Sequence, residues 1–181
     1  MEQLVLNMWN YYLIIDRDMK DAMRYIDSRN SENVFSFEFA KNIILACTEC
    51  ESAFKLLGTI KESKELGNIG EYKGLILKHF PKITTANVYA NGVRIVPFSN
   101  WDNGTLGWWE AYVGIKHNRS DNFQDASFNN AANAVGALYV LILYLSQVTG
   151  VNIYSDEALF ITSNYGKTKV LYDPIMALPD F

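Results

Sequence analysis

The chain has 181 residues, 49% of them apolar and 20% charged, and a formal charge of −4. That balance suits one globular domain and excludes a disordered chain. With no run of Lys or Arg, it also excludes a broad basic face for coating DNA or an anionic membrane.

Apolar residues at Leu4, Met8, Tyr11/Tyr12, Ile15, Met19, Met23 and Ile26 step by three and four, which predicts a long amphipathic helix from Leu4 to Ile26. The turn-forming run Ser28-Arg29-Asn30-Ser31 should end it. Ser36 is placed to cap a second helix with the stripe Ala40, Ile43/Ile44, Cys47, Phe54 and Leu57, and Gly67 is its expected stop. A third helix is predicted over Ile69–Phe80, with Tyr72, Ile76 and Phe80 on one side and Pro81 blocking its continuation.

Asn87 to Phe98 reads as two β-prone segments about Asn91-Gly92, a pair suited to a tight type I′ turn, with Pro97 at a strand end. Helical spacing resumes at Trp108. The longest apolar helix is expected from Asp125 to Val148, closed by Gly150. Its most apolar run, Ala134–Leu145, is shorter than the roughly 20 residues a bilayer span needs, which predicts a core helix. Residues 158–163 and 169–173 predict a second hairpin. The expected fold is mainly α: one domain, a bundle of about five helices with two small β-hairpin additions.

Only two cysteines occur, Cys47 and Cys50, too few for a disulfide-stapled secreted scaffold. The start MEQLVLNMW has neither the basic region nor the cleavage site of a signal peptide, so the expected compartment is the cytoplasm. The sequons at Asn103 and Asn118 would then stay unglycosylated. Cys47-Thr-Glu-Cys50 puts two thiols on one helix face, but a structural zinc site wants four ligands, and core packing is the expected role. No metal and no cofactor are expected. His79, at a helix end, suits a hydrogen bond or charge near free carbonyls.

The densest chemistry is Trp108-Trp-Glu-Ala-Tyr-Val-Gly-Ile-Lys-His-Asn-Arg119. His117 is the side chain most easily poised for proton transfer at neutral pH. Lys116 and Arg119, three apart, can meet a phosphate together, and Tyr112 or Glu110 can assist. The same residues also suit the cationic last turn of a helix. Asn129 and Asn133, four apart at the opening of the apolar helix, either cap a neighbouring segment or line a site with His117.

The stretch from Trp108 to Leu145, with WWEAYVGIKHNR, then Phe123 and an Ala/Asn-rich opening to an apolar helix, resembles uncharacterised bacterial proteins of the HEPN (higher eukaryotes and prokaryotes nucleotide-binding) type. The similarity covers under a quarter of the chain. It implies a helical bundle that often dimerises and often serves in toxin–antitoxin or other bacterial defence systems, and active members are metal-independent endoribonucleases. Their signature places an Arg ahead of the His with four to six residues between the two. Here Glu110, Ala111 or Tyr112 occupies that place, so only His117 carries over.

Two functions follow. One is a non-catalytic helical module that binds a protein, a nucleotide or RNA, with a homodimer possible and no membrane partner expected. The alternative is a metal-independent endoribonuclease toxin in which His117 is the acid or base, Lys116 and Arg119 hold the phosphate, and the RNA's own 2′-hydroxyl attacks.

Overall fold

The computed structural model describes residues 1–26, 34–90 and 93–154, and the backbone at 161–162. Five α-helices make up most of it: α1 (Glu2–Met23), α2 (Phe37–Glu62), α3 (Ile69–His79), α4 (Gly107–Asn118) and α5 (Phe128–Thr149). Strands β1 (Val88–Ala90) and β2 (Val93–Ile95) separate α3 from α4, and β3 (Ile161–Thr162) follows α5.

The helix starts follow their capping chemistry. Ser36 accepts a bond from the Phe39 N–H at the start of α2, Asn68 from Glu71 at α3, and Ser127 from Asn130 at α5. The first and last of these caps are tied together, because Ser36 N–H donates to the Ala126 carbonyl and Phe128 N–H to that of Val34.

The stops are less regular. α2 ends at Glu62, five residues short of Gly67, with Ser63 in the left-handed conformation at φ 52°. Gly67 instead donates its N–H to the Glu71 carboxylate ahead of α3. Pro81 ends α3 as expected but also opens a 3₁₀ helix over Pro81–Thr85. Asp125 belongs to a 3₁₀ turn, Phe123–Asp125, rather than to α5, and Gly150 closes α5 at φ +70°.

α5 is the central helix. It packs most extensively on α2, then on α1 and α4. At 22 residues it is long and apolar enough to cross a bilayer, so the short apolar run does not set its length. What distinguishes it here is burial: 83% of its most apolar window lies inside the bundle. On one flank Tyr139 stacks with Tyr12, which stacks in turn with Trp9 of α1.

The three strands form one small sheet in the order β2-β1-β3, antiparallel throughout, with Val88 opposite both Ile95 and Thr162. The first predicted hairpin is present, although its Asn91-Gly92 turn lies outside the described residues. Of the second, Ile161–Thr162 pairs with β1 rather than being seen with residues 169–173, which also lie outside them. Between the sheet and α4, residues 96–106 fold over a second aromatic cluster. Trp101 lies against Phe98 and Phe54, Tyr72 stacks on Phe54 at 4.9 Å, and the Trp108 indole donates to the Pro97 carbonyl at 2.7 Å. This cluster anchors the N-terminal half of α4 and so fixes which way its polar residues face.

Candidate functional site

α4 buries Trp108, Trp109, Ala111, Tyr112 and Ile115. At about 100° per residue, Tyr112, Lys116 and Arg119 fall within roughly 60° of one another. Glu110 and His117 fall together on another strip, about 100° or more away. The five candidate residues are therefore divided between two faces of one helix.

The first face looks onto α2. The buried Tyr112 hydroxyl donates to Glu51 Oε1 at 2.9 Å and accepts from Lys116 Nζ at 2.8 Å. The Lys116 ammonium lies 4.9 Å from the Tyr112 ring centroid and 4.0 Å from the Glu51 carboxylate. The bond to the Tyr112 hydroxyl, and then the Glu51 charge, raise the Lys116 pKa above the ordinary lysine value. Lys116 is thus a fixed cation at neutral pH and not a proton acceptor.

One turn further on, Arg119 lies over the Phe37 ring at 5.9 Å. Phe37 is 68% exposed, and its ring meets Phe123 at 4.6 Å, which in turn meets Phe35, itself 50% exposed. Phe37, Ile44, Leu45, Ile115, Lys116 and Arg119 line a groove of about 560 Å³ between α2 and α4. The other cation on this groove, Lys41, is paired with Glu38 and with Asp18 at 3.1 Å. Among the described residues Arg119 has no carboxylate partner.

The second face is open. His117 is exposed and makes no hydrogen bond or ion pair with the described residues. Glu110, two turns earlier, is also exposed and borders a different cleft, toward α3. The end of α4 is held by Asn122, whose amide donates to the Asn118 carbonyl at 2.8 Å and to that of Gly114 at 3.3 Å. Gly114 permits this approach, since a Cβ there would stand 3.1 Å from the Asn122 side chain. The cationic last turn of α4 is thus closed by an amide from the next loop.

Asn129 and Asn133 serve each other. The Asn133 amide donates to the Asn129 carbonyl at 2.9 Å and to its side-chain oxygen at 3.1 Å. Neither lines the α2–α4 groove. Cys47 and Cys50 are free thiols, fully buried in α2, and burial raises both pKa values well above the usual thiol range. Among the described residues no three His, Cys, Asp or Glu side chains converge on a point where a metal could sit. His79 reaches a carboxylate rather than the free carbonyls expected of it: with Lys78 it bonds Glu62, whose pKa these two donors lower.

The spacing of Lys116 and Arg119 predicts a shared face; both line the α2–α4 groove, Lys116 on the Tyr112 hydroxyl and Arg119 over Phe37. Sequence spacing missed Glu51, sixty-one residues before Tyr112, because no local pattern signals a hydrogen bond between two helices. It also missed Phe35 and Phe37, which read as ordinary apolar residues beside a cap. Compared with protein-family models, with curated proteins and with solved structures, the chain has no significant match.

Proposed function

We propose that the protein is a non-catalytic, HEPN-like helical module that binds a protein partner through the groove between α2 and α4. The observation that carries this reading is the exposed Phe37 ring with Arg119 over it. Aromatic residues, Phe among them, and Arg are enriched at protein interfaces relative to the rest of the surface. The balance of charge favours protein over RNA, because Lys41 and Lys116 are already paired with carboxylates and little positive potential is left for a phosphate backbone. The partner that fits presents an apolar pocket for Phe37 and a carboxylate for Arg119.

The endoribonuclease reading needs His117 to act on the phosphate that Lys116 and Arg119 hold. The angular separation along α4 disfavours it, as does the missing family Arg. A role in bacterial defence and a homodimer rest on the family resemblance alone.

Two experiments test the proposal. Wild type, Phe37→Ser and Arg119→Glu are expressed as baits in the native host, and the partners recovered are quantified. A partner held by wild type and lost by both folded variants supports the reading; a partner retained by both overturns the groove assignment. Separately, wild type and His117→Ala are incubated with cellular RNA in excess chelator. Discrete cleavage by wild type alone would replace the binding module with the ribonuclease.

A further inference from the structure

A second cleft, of about 610 Å³, lies on the opposite side of α4, between α3, α4 and the 96–106 loop. Its size falls among those that take small organic ligands. Trp101, Trp109, Leu106, Val113 and Ile69 provide apolar walls. Of these, Trp101 and Trp109 are 1% and 8% exposed.

Two charges of opposite sign border the cleft. Lys73, on α3, spends one ammonium hydrogen on the Gly104 carbonyl at 3.2 Å, leaving two for another acceptor. Glu110, on α4, has no cation within ion-pair distance among the described residues. The two line one cleft without pairing with each other. We infer that this cleft binds a small zwitterion with an apolar body, of the size of an apolar α-amino acid or a dipeptide of such residues. Its carboxylate meets Lys73, its ammonium meets Glu110, and its side chain lies against Trp109, Leu106 and Val113. A neutral hydrocarbon leaves both charges unused, and a simple carboxylate meets like charge at Glu110. This site is separate from the α2–α4 groove and does not depend on what that groove binds.

The test is titration of the full chain with L-phenylalanine, L-leucine, L-methionine and the dipeptide Leu-Phe, followed by tryptophan fluorescence and calorimetry. The expected result is saturable binding of at least one of them with a Kd below about 1 mM. For the phenylalanine series, 3-phenylpropanoate and phenethylamine, which each lack one charge, bind at least about tenfold more weakly. Lys73→Met weakens the zwitterion by a similar factor and does not weaken phenethylamine, whose ammonium no longer faces a like charge. Because Lys73 also holds the Gly104 carbonyl, Val113→Trp provides an independent check, since it fills the cleft from an exposed position and should abolish binding without lowering the melting temperature. No saturable binding by any of the four ligands overturns the inference. So does equal binding of zwitterion and single-charge analogues, or binding unchanged in both variants.

Discussion

The two faces of α4 present the same kinds of side chain in opposite conditions. On the α2 face a phenol, an ammonium and a carboxylate are locked into one chain of hydrogen bonds, Lys116 to Tyr112 to Glu51. On the outer face an imidazole and a carboxylate stand in solvent without such partners among the described residues. In sequence the five residues form a single cluster. In a helix, adjacency in sequence places His117 beside Lys116 along the chain while pointing the two side chains in different directions.

Removing the inner face has the largest expected effect. Tyr112→Ala deletes a buried ring and leaves Glu51 and Lys116 without their shared partner. A loss of about 3–5 kcal/mol in unfolding free energy is expected by chemical denaturation, as for other large buried aromatics. Tyr112→Phe keeps the ring and removes only the hydroxyl, so it should cost about 1 kcal/mol. Equal losses for the two variants would mean that the hydrogen bonds, not the packing, hold α4 to α2.

Alkaline pH tests the buried thiols of α2. Burial raises the Cys47 and Cys50 pKa values in the folded protein, whereas the unfolded chain ionises near the ordinary thiol value of 9.0. The folded state therefore holds more protons above that pH, and stability falls as pH rises. Their contribution is complete below 9.0 and is lost as pH climbs toward the folded values. The Cys47→Ala/Cys50→Ala double variant should flatten the alkaline limb of a pH–stability curve. An unchanged limb would assign it to other groups, such as the buried Tyr12, whose pKa burial also raises.

The smallest effect belongs to the outer face. His117→Ala should change stability by less than about 0.5 kcal/mol, the usual range for exposed positions. A larger loss would show that the imidazole makes contacts in solution that bring the two faces closer in character.

The helical plan was readable because it depends on local signals. Ser36 and Gly150 act through their own backbone neighbours, and the stripes of α1 and α5 repeat within a few residues. The end of α2 was not readable, because a serine adopts the left-handed conformation where glycine is the usual choice. Gly58 shows the tertiary reason for crowding there: a Cβ at that position would stand 2.8 Å from the Leu66 side chain. The site was readable only as a set of residue types. Its division into two faces depends on which side of α4 the Trp101–Phe54–Tyr72 cluster takes up, and that is a matter of packing between distant segments.

The burial of both cysteines has a practical consequence for anyone who wants to watch this molecule work. The native thiols are shielded from maleimide dyes and spin labels, so they need not be removed before a probe is attached. His117→Cys on α4 and Leu4→Cys on α1, introduced singly or together, would give exposed attachment points outside both the groove and the cleft. From there, changes in distance on partner or ligand binding could be followed by energy transfer or electron paramagnetic resonance in the otherwise native chain.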